Sequence, residues 1–398
     1  MKIRFFIARR LSHKSPIVTA AIAVSFLVVI IAVAVSSGFR HELRTGLSEM
    51  TGDVQLMMSD MSYVDESSPV QMHQSYMDDI EVMPSVSSID PVVYRAGIVR
   101  HSEEIYGVMI KGVEGGVARF AGMPLPDTTA LAVSIPSTLA QTSGLQVGDR
   151  MLTYFIGEKI KVRQFNVVHI YEPLVRTDDR ALVYADIADM RRLNGWSEDQ
   201  TSMFEIALND SYKDESSMQQ TTSVIAERIY ENFSDDDDDM LMPLSAVDRF
   251  PQIFEWIALI DFNVLFVLVL MIAVAGVNMI SGLLIMLFEN ISTIGLLKSL
   301  GMRNIQIVNV FLTRAAGTVL KGMLIGNVLA LLFCVIQTKT HLIPLDPVNY
   351  FVSYVPVHID MTVVLLADLI AFAAIMLLLL LPSLFVLRVD PAQTVKMD

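Results

Sequence analysis

Four long apolar runs punctuate the chain. Ser15–Phe39 and Phe262–Phe288 carry no charge, Ala315–Thr338 is interrupted by Lys321, and Met361–Leu387 is interrupted by Asp368. At about 1.5 Å per residue each is long enough, as a helix, to cross a hydrocarbon core of about 30 Å. The pattern predicts four membrane-spanning helices, at residues 15–39, 259–288, 315–338 and 361–387. Residues 289–314 follow the second run and contain Glu289–Arg303, which is too polar to span. Ile291, Ile294, Leu297 and Leu300 recur there at helical spacing, which predicts a short amphipathic helix. By pattern alone that helix is either an interfacial anchor or a docking element for a partner protein.

Residues 40–258 read differently. Partial alternation of β-branched, aromatic and polar residues predicts strands at Asp53–Met58, Tyr94–Arg100, Glu104–Val113, Arg150–Phe155, Ile160–Ile170, Ala181–Tyr184 and Met203–Leu208. Helices are expected at Ser137–Thr142, Ala185–Leu193 and Gln219–Asn232, and again beyond Ser245, an N-cap residue. The interspersed order implies an α+β domain in two lobes. The helices before and after it, extended beyond the membrane, are expected to form its stalk. Gly144 and Gly148 read as turn glycines, and the aspartate run Asp235–Asp239 reads as a solvated loop, since it lacks the glycine and spaced ligands of a calcium loop.

Composition places this domain relative to the membrane. Apolar residues are 53% of the chain and charged residues 18%, a mix that suits a membrane protein with a large polar part. From Arg40 to Ala258 there are 17 Lys and Arg against 36 Asp and Glu, an acidic balance that disfavours a nucleic-acid partner. The basic residues cluster instead at 1–14 (Lys2, Arg4, Arg9, Arg10, Lys14), at 289–314 (Lys298, Arg303, Arg314) and at 388–398 (Arg388, Lys396). By the positive-inside rule these segments and both termini are cytoplasmic, while residues 40–258 and the 339–360 loop lie outside. The first apolar run exceeds a signal-peptide core and is expected to remain as an anchor. Cys334, the single cysteine, precludes an intramolecular disulfide.

Within the runs, Gly317, Gly322 and Gly326 form a small-residue face, expected to pack on the second span or on another subunit. Opposite chain directions place Lys321 and Asp368 at depths about 12 Å apart, so no salt bridge between them is expected. Lys321 is expected to snorkel inward and Asp368 to line a cavity. The sequence has no P-loop, HExxH, CxxC or GxSxG pattern, and its seven histidines are scattered. No catalytic, cofactor-binding or metal residues are therefore assigned.

Several local stretches stand out: Ile7-Ala-Arg-Arg10, Ser37-Gly-Phe-Arg-His-Glu-Leu43, Gly144-Leu-Gln-Val-Gly-Asp-Arg150, Phe165-Asn-Val-Val168 with Ala181-Leu-Val-Tyr184, Phe250-Pro-Gln-Ile-Phe254, Asn278-Met-Ile-Ser281 and Asp390-Pro-Ala-Gln-Thr-Val-Lys396. Together with the layout they resemble the FtsX-like/MacB-type ABC transporter permeases. The layout with the stretches at 250–254 and 278–281 resembles, within them, the LolC/LolE lipoprotein-releasing subfamily. Most specific is Ile294-Gly-Leu-Leu-Lys-Ser-Leu-Gly301, similar to the family's coupling helix; Thr293 stands where an acidic residue commonly precedes it.

The resemblance implies a MacB-periplasmic-like domain and a multi-pass protein of the bacterial inner membrane. It implies that Ile294, Leu297, Lys298, Leu300 and Gly301 meet a cytoplasmic, LolD-like ABC ATPase present in two copies. That subunit, not this chain, would bind and hydrolyse ATP with Mg. It further implies a second permease copy or paralogue, an acylated lipoprotein substrate, a periplasmic lipoprotein carrier and contact with membrane lipid. Val28, Ile31, Phe266 and Leu270, with Asp368, are the expected lining of a substrate cavity. Two other classes stay open at this point: a mechanotransmitting efflux permease of MacB type and an FtsX-like regulator of a cell-wall hydrolase.

Overall fold

A computed structural model describes residues 16–59, 69–101, 104–115, 131–157, 159–173, 181–234 and 238–383. They fall into two compact units. The helical unit draws on Met1–His41, Trp256–Leu345 and Ser353–Asp398, and the sheet unit on Glu42–Glu255 with Asp346–Val352. The stretches Ile7–Arg10 and Asp390–Lys396, and the basic residues up to Lys14 and from Arg388, lie outside the described residues.

The long helices are α1 (Pro16–Thr51), α7 (Pro251–Glu289), α9 (Asn304–Thr340) and α11 (Met361–Leu378), the last followed by the short α12 (Leu380–Ser383). Each has an apolar stretch sufficient to cross a membrane. Between α7 and α9 lies α8 (Ile291–Ser299), and between α9 and α11 the single turn α10 (Pro347–Tyr350).

In the sheet unit the strands are β1 (Val54–Met58), β2 (Val70–Gln71), β3 (Val86–His101), β4 (Glu104–Val113), β5 (Ala132–Pro136), β6 (Arg150–Phe155), β7 (Lys161–Tyr171), β8 (Ala181–Asp186), β9 (Gln200–Thr201), β10 (Met203–Leu208) and β11 (Leu241–Ser245). The helices among them are α2 (Met77–Glu81), α3 (Ser137–Ser143), α4 (Ile187–Asn194), α5 (Glu215–Asn232) and α6 (Ala246–Arg249). Nine strands join in the order β11-β1-β10-β3-β4-β8-β5-β7-β6, and β6 returns to pair with β3 through Ile98–Arg100. Six strands thus close a ring, while β11, β1 and β10 extend an open sheet from the other end of β3. One 16-residue strand serves both lobes.

Inside the ring the alternation is plain. Val108 and Ile110 of β4 point inward with Val133, Ile135, Phe155 and Phe165, and the two phenylalanine rings meet edge-on at 6.2 Å. The other face of β4 carries Lys111, which is buried. Its Nζ donates to Glu205 Oε2 at 2.6 Å and to the Met50 carbonyl at 2.7 Å, near the C-terminal end of α1, where a cation complements the helix dipole. Tyr94 donates to Glu205 Oε1 at 2.7 Å; burial, then the Glu205 charge, hold its phenol well above its ordinary range, so it stays a donor. Gln55 donates to the same carboxylate at 3.3 Å and accepts from Arg249 at 2.5 Å, just before α7 begins.

The structure extends several sequence expectations. The second predicted strand, Tyr94–Arg100, grows from seven residues to the sixteen of β3, because the first half of β3 is taken up by β10. Ser245 caps α6 by accepting from Asp248 N–H, but that helix stops at Arg249 and α7 restarts at Pro251, a residue suited to a first helical turn. In the aspartate run, Asp235, Asp236 and Asp237 lie outside the described residues, but Asp238 and Asp239 are not idle solvated charges. Asp238 accepts from Ser75 N–H at 2.7 Å and from Ser234 N–H at 2.8 Å, and Asp239 from Gln71 N–H at 2.7 Å.

Candidate functional site in the helical unit

The core of the helical unit is built by α1, α7, α8, α9 and α11, with Ile22, Met279, Leu283, Phe311, Val319 and Ile375 fully or almost fully buried. Two of the predicted packing glycines explain how closely α9 lies on α1. A Cβ on Gly322 would stand 2.6 Å from Ile22 Cγ2, and one on Gly326 would stand 2.5 Å from the Ala23 carbonyl oxygen. The face therefore packs on the first span, not on the second span or another subunit. Gly317 takes no part: a Cβ there meets nothing within 4 Å. Gly38 of α1, outside any small-residue motif, is the tightest among the described residues, since a Cβ would come within 2.3 Å of the Pro356 carbonyl oxygen.

Asp261 of α7 has partners that sequence reasoning missed. Ser36 of α1 donates to its Oδ1 at 2.6 Å, and Arg40, one turn further on, forms an ion pair with its Oδ2. The spacing of Ser36 and Arg40 at i and i+4 was the available signal. Phe39 meets Trp256 edge-on at 5.3 Å, and His41 stacks on His358 at 4.4 Å, so this middle stretch of α1 is clasped from two sides.

The expected cavity residues do not converge. Val28 is half-buried, and Ile31 packs against a cluster of Ile30, Ala330 and Val364. Phe266 and Leu270 stand 64% and 47% exposed on α7. The recess that α1 and α7 share with α11 is lined one position along, by Ser25 and Val29 and by Met271, Ile272 and Ala275. Helix drift explains the offset: neighbouring positions point about 100° apart. Of the four spans α7 is the least covered, with 6% of its apolar window buried against 44% for α1. Asp368 does not line that recess. It is 6% exposed and its Oδ2 accepts from Asn327 of α9, a partner not foreseen in the sequence. Lys321 is exposed on α9, and no bond joins it to Asp368 among the described residues.

The helix between α7 and α9 has two faces. Ile294 is 1% exposed, in the same core cluster as Leu287, Ile307 and Phe311, and Ile291 and Leu297 are half-buried against it. Three positions of the apolar stripe used to identify α8, Ile291, Ile294 and Leu297, are thus spent on its own helices, and Ile294 is closed to a partner, whereas Leu300 faces outward as expected of a contact residue. Lys298 is half-buried. The outward face is Ser292, Leu296, Ser299 and Leu300, with Leu296 56% and Leu300 75% exposed. Gly301 closes the helix at φ +82°, a left-handed conformation that favours glycine. Beyond it Gln306 Oε1 accepts from Arg303 N–H at 3.2 Å, starting α9.

Among the described residues no group of three or more His, Cys, Asp or Glu is arranged to hold a metal ion. Residues 265–391 match the FtsX-like permease C-terminal family. Over 99% of its length the chain is 23% identical to the lipoprotein-releasing system transmembrane protein LolE of Haemophilus influenzae, covering 99% of that protein. It is 22% identical to the corresponding LolC of Neisseria meningitidis serogroup B over 95% of this chain and 93% of that one. Among solved structures, the periplasmic region of MacB from Actinobacillus actinomycetemcomitans aligns with 52% of this chain and 95% of its own, at 12% identity and a TM-score of 0.31. The extracellular domain of the transporter YknZ from Gram-positive bacteria aligns with 48% of this chain and 100% of its own, at 10% identity and a TM-score of 0.30. The C-terminal third of the chain thus matches the FtsX-like permease C-terminal family, and nearly the whole chain is similar to LolE and LolC.

Proposed function

We propose that this chain is the permease subunit of an ABC transporter that extracts acylated lipoproteins from the outer leaflet of the bacterial inner membrane and passes them to a periplasmic carrier. The observation that carries this reading is the near full-length likeness to two proteins named as transmembrane components of lipoprotein-releasing systems. The chain itself performs no ATP chemistry in this scheme. A separate cytoplasmic ATPase supplies it, seated on α8 through Leu296 and Leu300, while Ile294 and Leu297 fix α8 to the spans so that a push on the helix is a push on α7 and α9.

Both termini and α8 are cytoplasmic in this reading, and the sheet unit is periplasmic, in keeping with the charge distribution. The weakly covered α7 offers a surface for lipid, for an acyl chain and for a second permease subunit. Depletion of the protein tests the proposal: spheroplasts should lose release of an outer-membrane lipoprotein to added carrier. Undiminished release after depletion would overturn it.

A further inference from the structure

We infer that Asp368 holds a proton inside the helical unit and, as a neutral acid, joins Asn327 in a two-way hydrogen-bonded clasp between α9 and α11. The inference stands on the orphaned atoms of this pair and does not depend on what is transported. Asn327 Nδ2 donates to Asp368 Oδ2. That leaves Asp368 Oδ1 and Asn327 Oδ1, both buried and both without a hydrogen-bond partner. Both atoms accept, so neither can satisfy the other while Asp368 is ionised.

A cation does not resolve the deficit. From Pro16 to Phe39, from Phe262 to Phe288 and from Met361 to Leu387 the sequence contains no Lys, Arg or His. Between Arg314 and Lys339 on α9 the one basic residue is Lys321, and it is exposed on that helix. A carboxylate buried among apolar helices without a cation is costly, and the usual outcome is that it takes up a proton. One proton on Asp368 Oδ1 answers both deficits: the acid donates to Asn327 Oδ1 while the amide continues to donate to Asp368 Oδ2. The two groups then form the reciprocal pair available to any acid and primary amide set side by side, and the clasp carries no charge.

Infrared spectroscopy of the full chain in lipid nanodiscs at neutral pH tests this directly. The difference between wild type and Asp368→Asn should contain the carbonyl stretch of a protonated carboxylic acid, and absence of that band would overturn the proposal. Thermal unfolding supplies a second reading, because Asn at 368 keeps a neutral group able both to donate and to accept. Asp368→Asn should therefore unfold at the wild-type midpoint while Asp368→Ala unfolds earlier. If Asp368→Asn falls as far as Asp368→Ala, the negative charge itself is required and the proton assignment is wrong. Replacing sodium by choline should leave the wild-type midpoint in place; a drop would mean that a metal cation, not a proton, sits between the two oxygens.

Discussion

Lys111 and Glu205 show how much one buried pair can govern. Their side chains are 3% and 8% exposed, and Glu205 also serves Tyr94 and Gln55. Removing one member strands the other in a dry site, whereas removing both with apolar replacements of similar size does not. Glu205→Ala should cost about 3–5 kcal/mol in denaturant unfolding of the sheet unit. The double change Lys111→Met with Glu205→Leu should recover most of that loss, and a double variant as unstable as the single would show that the carboxylate matters for something other than pairing with Lys111. None of this was legible in the sequence. Lys111 sits at an ordinary place in an alternating strand, and nothing local announces that a helix end and two other strands converge on it.

At the scale of elements, α8 was found by the right pattern, but its expected contact residues are divided between two faces: Ile294 and Leu297 turn inward and Leu300 outward. Period-three apolar positions mark the side of a helix that wants to leave water, and the nearest apolar surface belongs to α7 and α9 in the same chain. The outward face is chemically quieter, two leucines and two serines, and of these the sequence pointed to Leu300 but not to Leu296. Leu300→Asp should therefore reduce co-purification of the ATPase at least tenfold, about 1.4 kcal/mol, without lowering the thermal midpoint of the permease. Ile294→Asp should instead lower that midpoint, because it buries a charge. Equal loss of partner and equal stability for the two variants would refute the two-faced reading. The strands and helices with strong alternation or caps were readable, including β4 and β10 to the residue. The short β2, β9 and β11 were not, because two to five residues carry too little periodicity and owe their form to their partners.

For the molecule as a whole, the long apolar runs were legible because a bilayer demands length and the absence of charge, properties that need no tertiary context. Which faces of those helices meet was less so: the glycine pair of α9 was recognised, but its partner α1 was not. The arrangement across the membrane is open to a direct test, since Cys334 is fully buried and gives little background. Gln220→Cys on α5 and Ser299→Cys on α8 both replace exposed residues. An impermeant thiol reagent added to intact spheroplasts should label Cys introduced at 220 and spare that at 299 until the membrane is opened. The opposite order would invert the topology on which the proposed function rests.

The shared strand β3 has a practical consequence for anyone dissecting the protein. Its Val86–Val92 part is held by β10 and its Ile98–Arg100 part closes the ring through β6, with β4 alongside from Val92 to His101. No cut in the backbone separates the lobes without dividing that strand or depriving one lobe of it. Fragments bearing a single lobe should accordingly be sensitive to proteolysis, and the two lobes should melt in one cooperative step.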